Sequence, residues 1–389
     1  MKRILVINNN LHIGGVQKAL INLLWQLRGK CDVTLLLFYK GGEYLKEIPP
    51  EVKVITPNSG YRYLGMTGAD AVSLRDRLGR GFFAAISRLF GRKYAISLMA
   101  LGQKKLTGFD AAISYLHDSK DKAFYGGCND FVLRHVEAEK KITFLHCDYR
   151  LCGAETPDNA MRYGRFDTIA ACSQGCADSF LAANPKLADR VRVVYNCHRT
   201  DRILLDAREA AVILPRDRIN LVTVARLGAE KAVPRAIDAL AVLGETMSGY
   251  HYYIIGDGAQ RKQLEERIST LDLTDKITLL GAMENPYGYI QAADLLLIPS
   301  VSEAAPMVIG EAARLGTPIL TTRTSSAEEM VSVPGIGWVC DNSTEGIARG
   351  LRTLLNSPES LEEKNKQLSG MLPEDREALE GFLRLLDEK

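Results

Sequence analysis

The sequence predicts an α/β protein built from two Rossmann-like, doubly wound parallel-sheet domains that face a cleft. Its length of 389 residues suits two such domains better than one. Short apolar runs typical of strands alternate with helical patterns in the first half, which favours a parallel sheet with helices on both faces. The same alternation starts again near residue 219, which indicates a second sheet.

The first domain is expected over residues 1–200 and begins with a strand, Arg3–Ile7, and a helix, Val16–Leu27. Its later strands are predicted from short apolar runs at Asp32–Phe38, Val52–Thr56, Ala111–Tyr115, Lys141–Leu145, Thr168–Ala171 and Arg192–Val194. Open parallel sheets bind ligands at the carboxyl ends of their strands, so functional residues are expected directly after these runs.

The second domain is expected over residues 201–370, with the boundary in the charged segment Arg199–Arg218. Its strands are predicted at Asn220–Val224, Tyr252–Ile255, Ile277–Leu280, Leu295–Ile298 and Pro318–Thr321. Its helices are predicted at Pro234–Leu243, Gln260–Leu271, Ile290–Ala293 and Val308–Leu315. Residues 371–389 are expected to form a C-terminal helix, with helical spacing over Pro373–Leu386, that packs back toward the first domain.

Composition excludes several classes of protein. Hydrophobic residues make up 46% and charged residues 25%, as in soluble globular proteins, and the net charge of +2 gives no support to nucleic-acid binding. The sequence lacks an uncharged apolar run of about 18 residues, and its N-terminal apolar run is too short for a signal peptide. A cytoplasmic protein is therefore expected.

Eight cysteines are present without a C-x-x-C pair, and Cys172 and Cys176 are four residues apart. Free thiols in a reducing compartment are the favoured interpretation, and no metal site is expected. The alternative is a zinc site that combines these thiols with His146 or His198, but the usual ligand spacing is missing.

Two glycine-containing turns and two cations follow predicted strands. Gly14 and Gly15 precede the first helix, and Gly256 and Gly258 follow Tyr252–Ile255. Such turns let a backbone approach a phosphate at a helix N-terminus, although plain tight turns have the same pattern.

Arg226 and Lys231 follow the strand Asn220–Val224. An arginine and a lysine in one loop can clamp a diphosphate, and a solvated charge pair is the alternative.

The strongest local pattern runs from Ser300 to Ala312, after the strand Leu295–Ile298. Glu303 lies in the turn, and Glu311 follows eight residues later on the predicted helix. Carboxylates there suit hydrogen bonds to sugar hydroxyls, although a solvent-facing Glu311 is the alternative. The helix N-terminus would receive a phosphate or carboxylate.

Glu303 and Glu311 form an E-x7-E pattern that resembles glycosyltransferase family 4, retaining enzymes of bacterial polysaccharide biosynthesis with the fold called GT-B. Other stretches resemble that family in order and spacing: Gly14–Gln17, Phe144–Tyr149, Asn196, Val224–Leu227 with Lys231, Ile255–Gly258, Leu280–Gly281 and Ala293–Ser300. The resemblance covers about residues 1–370. It implies an acceptor-binding first domain and a second domain that binds the nucleotide sugar.

The resemblance also implies a hexosyltransferase-type enzyme that moves a sugar from a nucleotide diphosphate, with a UDP-sugar as the expected donor and no separate cofactor. Catalytic roles are expected for His146, Arg226, Lys231 and Glu303. Donor-binding roles are expected for Gly14, Gly15, Gly256, Gly258, Gly281, Ala305, Pro306, Met307, Val308 and Glu311. Since the sequence has no D-x-D motif, transfer is expected to be independent of metal.

One departure concerns the family's usual E-G-F, which is Glu303-Ala304-Ala305 here and alters the wall near the transferred sugar. Two alternatives therefore accompany the transferase: a sugar-nucleotide epimerase or hydrolase of the same fold, and a catalytically dead sugar-nucleotide-binding protein. A glycan or lipid-linked acceptor is expected, without a specified linkage.

A basic stretch within residues 74–105 has apolar residues at helical spacing. The basic residues are Arg75, Arg77, Arg80, Arg88, Arg92, Lys93, Lys104 and Lys105. Two interpretations are equally compatible with this pattern. A basic helix with aromatic residues can lie on the anionic inner face of the cell membrane, or its apolar stripe can pack on the sheet while its charges face water.

Overall fold

The computed structural model describes residues 1–244, 249–370 and 375–388. The chain divides into two compact units, Met1–Cys197 with Arg376–Lys389, and His198–Asp375. The division precedes the charged segment Arg199–Arg218, and the first half of that segment is a helix of the second unit.

The first unit contains a seven-stranded parallel sheet in the order β3-β2-β1-β4-β5-β6-β7. Its strands are β1 (Lys2–Asn8), β2 (Cys31–Leu37), β3 (Lys53–Ile55), β4 (Leu106–Ser114), β5 (Val136–Leu145), β6 (Thr168–Ala171) and β7 (Val191–Val193). Its first seven helices are α1 (Gly15–Gln26), α2 (Arg62–Gly65), α3 (Leu74–Phe90), α4 (Arg92–Met99), α5 (Cys128–His135), α6 (Pro157–Tyr163) and α7 (Gln174–Ala183).

The second unit contains a six-stranded parallel sheet in the order β10-β9-β8-β11-β12-β13. Its strands are β8 (Ile219–Val224), β9 (Tyr250–Ile255), β10 (Ile277–Gly281), β11 (Leu295–Ile298), β12 (Ile319–Thr322) and β13 (Gly337–Cys340). Its helices are α8 (Thr200–Glu209), α9 (Val233–Leu243), α10 (Arg261–Thr270), α11 (Tyr287–Ala292), α12 (Met307–Leu315), α13 (Thr344–Leu355) and α14 (Pro358–Ser369).

The prediction of two doubly wound parallel sheets is confirmed. In each sheet the strand order reverses once, between β1 and β4 in the first unit and between β8 and β11 in the second. Loops at the carboxyl ends of the strands on either side of such a reversal leave a crevice in which ligands of this architecture bind.

The last helix, α15 (Arg376–Asp387), belongs to the first unit. Its apolar face is buried in the core there, and the ring of Phe382 lies 6.2 Å from that of Phe144 on β5. Pro373, the first residue of the predicted helical stretch, lies outside the described residues.

The basic stretch forms two helices, α3 and α4, which are separated at Gly91, where φ is +94°. The prediction that Arg92 belongs to a basic surface is wrong. Its side chain is 4% exposed, and its Nη2 lies 2.6 Å from Oδ1 of Asp118 and 3.1 Å from Oδ2 of Asp130. These carboxylates lie 26 and 38 positions further along the chain, so local sequence does not reveal the pairing.

The apolar stripe of α3 faces solvent in the part of the chain that the structure describes. Leu74, Leu78 and Phe82 are 72%, 64% and 58% exposed, and Leu89 is similarly exposed. Phe83 and Ile86 of the same helix are partly buried and pack against the core instead. The packing interpretation therefore accounts only for these partly buried residues. Within residues 1–244, 249–370 and 375–388, no helix has both the length and the apolar character needed to cross a membrane.

Candidate active site

A lysine, a glutamate and a serine meet where β8 and β11 end in the second unit. Nζ of Lys231, in the loop after β8, donates to Oε1 of Glu303 at 2.6 Å. Oγ of Ser300, which follows β11, donates to the same oxygen at 2.7 Å. Glu303 is buried, whereas the lysine side chain remains 25% exposed. The partly exposed ammonium group of Lys231 is therefore held in place beside the point where the strand order of the second sheet reverses.

Arg226 lies in the same loop but in a different setting. Its side chain is 74% exposed, and its Nη2 pairs with Oε1 of Glu230 at 2.5 Å. The backbone oxygen of Glu230 in turn accepts from the amide of Val301 at 2.9 Å, which joins this loop to the loop after β11. The exposed guanidinium can reorient toward an anion because Glu230, four residues away, is itself exposed and holds it only weakly.

Gly256 and Gly258 bring the loop after β9 against the loop that carries Arg226. A Cβ on Gly256 would lie 1.8 Å from the backbone oxygen of Ala225, and one on Gly258 would lie 2.6 Å from that of Leu227. The amide of Leu227 also donates to the oxygen of Asp257 at 2.9 Å. Close packing of these two loop backbones is thus enough to explain why glycine occupies positions 256 and 258.

Gly281 ends β10 with φ at +78°, and its oxygen accepts from the amide of Gly256 at 2.8 Å. A Cβ on Gly281 would lie 3.4 Å from Nη1 of Arg261, the first residue of α10. Arg261 is a cation beside this glycine loop that the sequence patterns did not single out. Its position directly after the Gly256–Gln260 turn was the available signal.

The turn from Glu303 leads into α12, which begins at Met307 after Pro306. Ala305 and Val308 are partly buried, and Met307 is buried. Helix N-termini carry unpaired amides and a partial positive charge, so this end of α12 suits an anionic group.

Glu311 is the fifth residue of α12 and is 8% exposed, so it is not a solvent-facing helix residue. Its Oε1 accepts from the hydroxyl of Tyr287, on α11, at 3.1 Å. This hydrogen bond fixes the carboxylate toward the core side of the helix. Glu303 thus contacts Lys231 and Ser300 from the loop before α12, whereas Glu311 contacts Tyr287 from within the helix.

In the first unit, Gly14 and Gly15 lie between β1 and α1, with Gly15 as the first helical residue. The backbone of Gly14 is extended, at φ 178°, so its conformation does not itself require glycine. A Cβ there would lie 2.6 Å from Oε1 of Gln17. That oxygen is the far end of a flexible side chain that can move aside, so neither the backbone conformation nor this contact by itself requires glycine at position 14.

His146 follows β5 in the first unit and packs against two aromatic rings. Its ring centroid lies 4.8 Å from that of Tyr115 and 5.6 Å from that of Phe144, nearly parallel to the latter. Burial, with a smaller contribution from His117, lowers the pKa of His146 to about 3, so the imidazole is neutral near pH 7. Its Nε2 is shielded from solvent, and the described residues offer it no hydrogen-bond partner.

His117 is a second histidine at this sheet edge that the sequence patterns missed. It follows β4, the neighbour of β5, and burial lowers its pKa to about 4. Its Nδ1 is likewise shielded and lacks a hydrogen-bond partner among the described residues. A histidine two residues after the predicted strand Ala111–Tyr115 was the signal that could have found it.

The expected residues therefore fall into two groups. Arg226, Lys231, Glu303 and the glycine loops share one edge of the second sheet, whereas His146, Gly14 and Gly15 lie at strand ends of the first sheet. Among the described residues, no three His, Cys, Asp or Glu side chains are grouped in a way that could hold a metal ion. The cationic side chains and helix N-termini are the anion-binding groups available.

Comparison with known proteins finds matches to part of the chain. A family model described as glycosyl transferases group 1 matches residues 207–369. The GDP-mannose-dependent alpha-(1-6)-phosphatidylinositol dimannoside mannosyltransferase of Mycobacterium tuberculosis is 32% identical over 142 residues, 36% of this chain and 37% of that protein. The amylovoran biosynthesis glycosyltransferase AmsK of Erwinia amylovora is 30% identical over 145 residues, 35% of each chain. The chain thus matches about a third of the length of these relatives.

Solved structures resemble the chain over its whole length. The Anabaena protein HepE in complex with UDP-glucose superposes with a TM-score of 0.70 at 17% identity, covering 100% of this chain and 99% of HepE. Identity this low supports the fold alone. Residues 207–369 therefore match the glycosyl transferases group 1 model, and the chain has the two-domain GT-B fold.

Proposed function

We propose that this protein is a retaining, metal-independent glycosyltransferase of family 4 that moves a hexose from a UDP-sugar to a glycan or lipid-linked acceptor. The observation that carries the proposal is the contact of Lys231 with buried Glu303 at the strand-order reversal of the second sheet. This contact lies inside the stretch that matches the glycosyl transferases group 1 model.

Charge separation is the main barrier in such a transfer, because the diphosphate leaves with negative charge while the anomeric carbon becomes cation-like. Lys231 and Arg226 would neutralise the diphosphate, and the N-terminus of α12 would receive one phosphate. An ammonium group has three donors, so Lys231 can keep its bond to Glu303 while it contacts a phosphate oxygen. Fixed positive charges of this kind take the part that a metal ion has in other transferases.

The carboxylates would bind hydroxyl groups. Glu303 holds Lys231 and Ser300 through Oε1, and in this proposal its second oxygen accepts a hydroxyl of the transferred sugar. Glu311, whose orientation is fixed by Tyr287, would bind the ribose. Ala304 and Ala305 after Glu303 provide small apolar side chains in place of the family's glycine and aromatic residue, which alters the sugar-binding wall.

His146 would act in its neutral form because burial keeps its pKa near 3. A neutral imidazole can donate one hydrogen bond and accept another, so His146 would orient a hydroxyl or phosphate oxygen rather than supply a full positive charge. Retention of configuration requires the acceptor hydroxyl to attack the face that the diphosphate leaves, and this route needs no protein nucleophile.

The acceptor would be bound by the first unit, close to a membrane. The exposed apolar face of α3 is bordered by exposed arginines, Arg75 and Arg88, and α4 adds exposed Lys93, Tyr94 and Leu98. Apolar side chains beside basic ones match the acyl and anionic headgroup layers of a bilayer. We therefore propose a peripheral location on an anionic inner membrane face, where lipid-linked acceptors are found.

Donor identification followed by product analysis tests the proposal. Melting temperatures with UDP-, GDP- and ADP-sugars should rise with the true donor, and UDP-sugars are expected to give the largest shift. The stabilising donor is then incubated with lipid-linked glycan acceptors, and the anomeric configuration of the product is read by NMR. Retained configuration supports the proposal. Free sugar or an epimerised donor without transfer would identify a hydrolase or epimerase, and donor binding without turnover would identify a catalytically dead protein.

A further inference from the structure

Two thiols lie in contact in the loop that follows β5. Sγ of Cys147 and Sγ of Cys152 are 3.1 Å apart, and both residues are partly exposed. The sulfur atoms of a disulfide are about 2.05 Å apart, so a bond would need an approach of only about 1 Å. We propose that Cys147 and Cys152 form a site of reversible oxidation, at which a hydroperoxide converts the two thiols to a disulfide.

The loop between the thiols is already folded for this reaction. The amide of Cys152 donates to the oxygen of Asp148 at 2.9 Å, and the amide of Ala154 donates to the oxygen of Tyr149 at 3.1 Å. The Asp148 carboxylate accepts from the amide of Leu151 at 3.1 Å and from Oγ of Ser179 at 2.6 Å. These hydrogen bonds hold the loop in a folded conformation that keeps Cys152 near Cys147. Formation of the disulfide ring therefore requires little new ordering of the backbone.

The two thiols have different chemical roles. Either sulfur can donate in this contact, and Sγ of Cys152 also lies 3.5 Å from the backbone oxygen of Tyr149. With the Cys147 thiol as the donor, the hydrogen bond between the two sulfurs lowers the pKa of Cys152. The same hydrogen bond, together with burial, raises the pKa of Cys147 well above its ordinary value. The thiolate is the reactive form of cysteine, so this arrangement assigns the role of nucleophile to Cys152 and the resolving role to Cys147, an assignment that the Cys147→Ser variant tests below.

The chemistry balances with one hydroperoxide. The Cys152 thiolate attacks the terminal peroxide oxygen, the O–O bond breaks, and the alkoxide leaves as an alcohol after taking a proton. The Cys147 sulfur then attacks the sulfur of the Cys152 sulfenic acid, an S–S bond forms, and hydroxide leaves as water with the Cys147 proton. Two thiols are oxidised, and the peroxide is reduced to one alcohol and one water.

The remaining cysteines are less suited to this reaction. Cys176 is buried, and its thiol points at the backbone oxygen of Cys147 at 3.1 Å. Cys31, Cys128, Cys172 and Cys197 are buried as well. Cys340 is partly exposed, but it lies in the second unit and burial raises its pKa to about 11. Cys340 therefore serves as the matched control.

Oxidation should also act on the candidate active site. Cys147 is the residue after His146, so movement of its sulfur toward Cys152 shifts the peptide that carries the imidazole. The His146 ring packs against Tyr115 and Phe144, and a small shift changes where its nitrogens point. We expect the disulfide to reduce the transfer rate severalfold, an expectation that rests on the proposed function.

Tryptic mapping tests the disulfide directly. Trypsin cleaves after Arg150, which lies between the two cysteines, so they fall in separate peptides, 142–150 and 151–162. The full-length reduced protein is treated with a small excess of hydrogen peroxide, capped with iodoacetamide, and digested without reductant. We expect the two peptides to be joined, and to separate again after dithiothreitol. Cys340→Ser should behave like the wild type, and in Cys147→Ser a sulfenic acid should be trapped at Cys152 by dimedone.

Sulfinic acid at Cys152 without joined peptides, or joining to a different cysteine, would overturn the proposal. The transfer rate before and after oxidation then tests the effect on His146. A joined peptide pair with an unchanged transfer rate would overturn that effect while supporting the disulfide. Absence of transfer by the reduced protein would contradict the proposed function and leave the peptide result valid.

Discussion

Nζ of Lys231 lies 2.6 Å from Oε1 of Glu303, although the two residues are 72 positions apart in the sequence. This contact joins the loop after β8 to the loop after β11 on either side of the strand-order reversal. Since Ser300 bonds to the same oxygen, the lysine is oriented before any ligand arrives. A preoriented cation costs less conformational entropy on binding than a free one.

The first prediction concerns the stability of this contact. Lys231→Met should lower the free energy of unfolding by about 1–3 kcal/mol, because it leaves the buried Glu303 carboxylate without its cation. The double variant Lys231→Met, Glu303→Gln should recover part of that loss, since the uncompensated charge is removed. Urea unfolding of both single variants and the double variant measures this coupling. Strictly additive losses would show that the contact contributes little.

The second prediction concerns the exposed cation of the same loop. Arg226→Ala should weaken binding of the nucleoside diphosphate by about 1.5–3 kcal/mol, the range for a charge-assisted hydrogen bond, while unfolding stability stays nearly unchanged. Calorimetry with UDP measures the affinity. Arg349→Ala removes another exposed, ion-paired arginine of the second unit and serves as the control. Equal affinities of the wild type and Arg226→Ala would rule out the clamp.

Much of this architecture could be predicted because strands and loop positions depend on local patterns. The run Leu295–Ile298 is a strand as predicted, and Glu303 follows it in the loop before α12. The charged segment Arg199–Arg218, in which the sequence places the domain boundary, contains a helix that the patterns did not predict. Ile203 and Ala207 bury one face of α8, and the high polarity of the segment obscured that face.

Contacts between distant residues could not be predicted in this way. Arg92 is a surface cation by local pattern, and only the fold reveals its pairing with Asp118 and Asp130. The apolar stripe of α3 has the same spacing whether it faces a core or solvent, so periodicity alone left both interpretations open. Pairing of Lys231 with Glu303 likewise depends on which strands become neighbours.

The third prediction concerns metal. Transfer should continue at an undiminished rate in excess EDTA, because Arg226 and Lys231 provide the positive charge that would otherwise come from a divalent ion. The rate is compared with and without EDTA, and again after magnesium is added. Loss of activity that magnesium restores would mean that the leaving diphosphate is stabilised by a metal ion.

The fourth prediction concerns acid stability. The folded protein holds His146 and His198 with pKa values near 3 and His117 near 4, in each case mainly through burial. In the unfolded chain, histidine has a pKa of about 6.5. Above that pH both states are neutral at these positions. Below it only the unfolded state binds protons, so stability falls as pH decreases from about 6.5 toward 4.

Each such histidine should add up to about 1.4 kcal/mol per pH unit to this loss. Urea unfolding at several pH values measures how steeply the free energy of unfolding falls with pH. His146→Gln should make this slope shallower by the contribution of one histidine, since one proton fewer is bound on unfolding. NMR gives an independent check, since the ring protons of His146, assigned by their absence in this variant, should not titrate between about pH 5.5 and 8. A normal histidine titration there would disprove the shift.

The last prediction concerns the membrane. The protein should bind vesicles that contain anionic lipid and release them as salt rises, because each basic residue near such a surface contributes about 1 kcal/mol and the attraction is screened over a Debye length. Arg75, Arg88 and Lys93 are exposed and are changed together to Glu. Arg92 is retained because its guanidinium is buried. Vesicle cosedimentation of this triple variant should show loss of most binding.

A second variant separates the apolar contribution from the electrostatic one. Leu78→Gln with Phe82→Gln removes exposed apolar area without opening the core, so it should weaken vesicle binding even at low salt, where the charges are intact.

A control triple variant changes exposed residues of the second unit to Glu, at Lys262, Arg349 and Arg352. It carries the same change in net charge and should still bind. Affinity for UDP should be unchanged in all three variants, because its proposed site lies in the second unit and involves none of these residues. If the control loses binding as fully as the α3 and α4 variant, the attraction depends on overall charge, and the exposed face of α3 has another role.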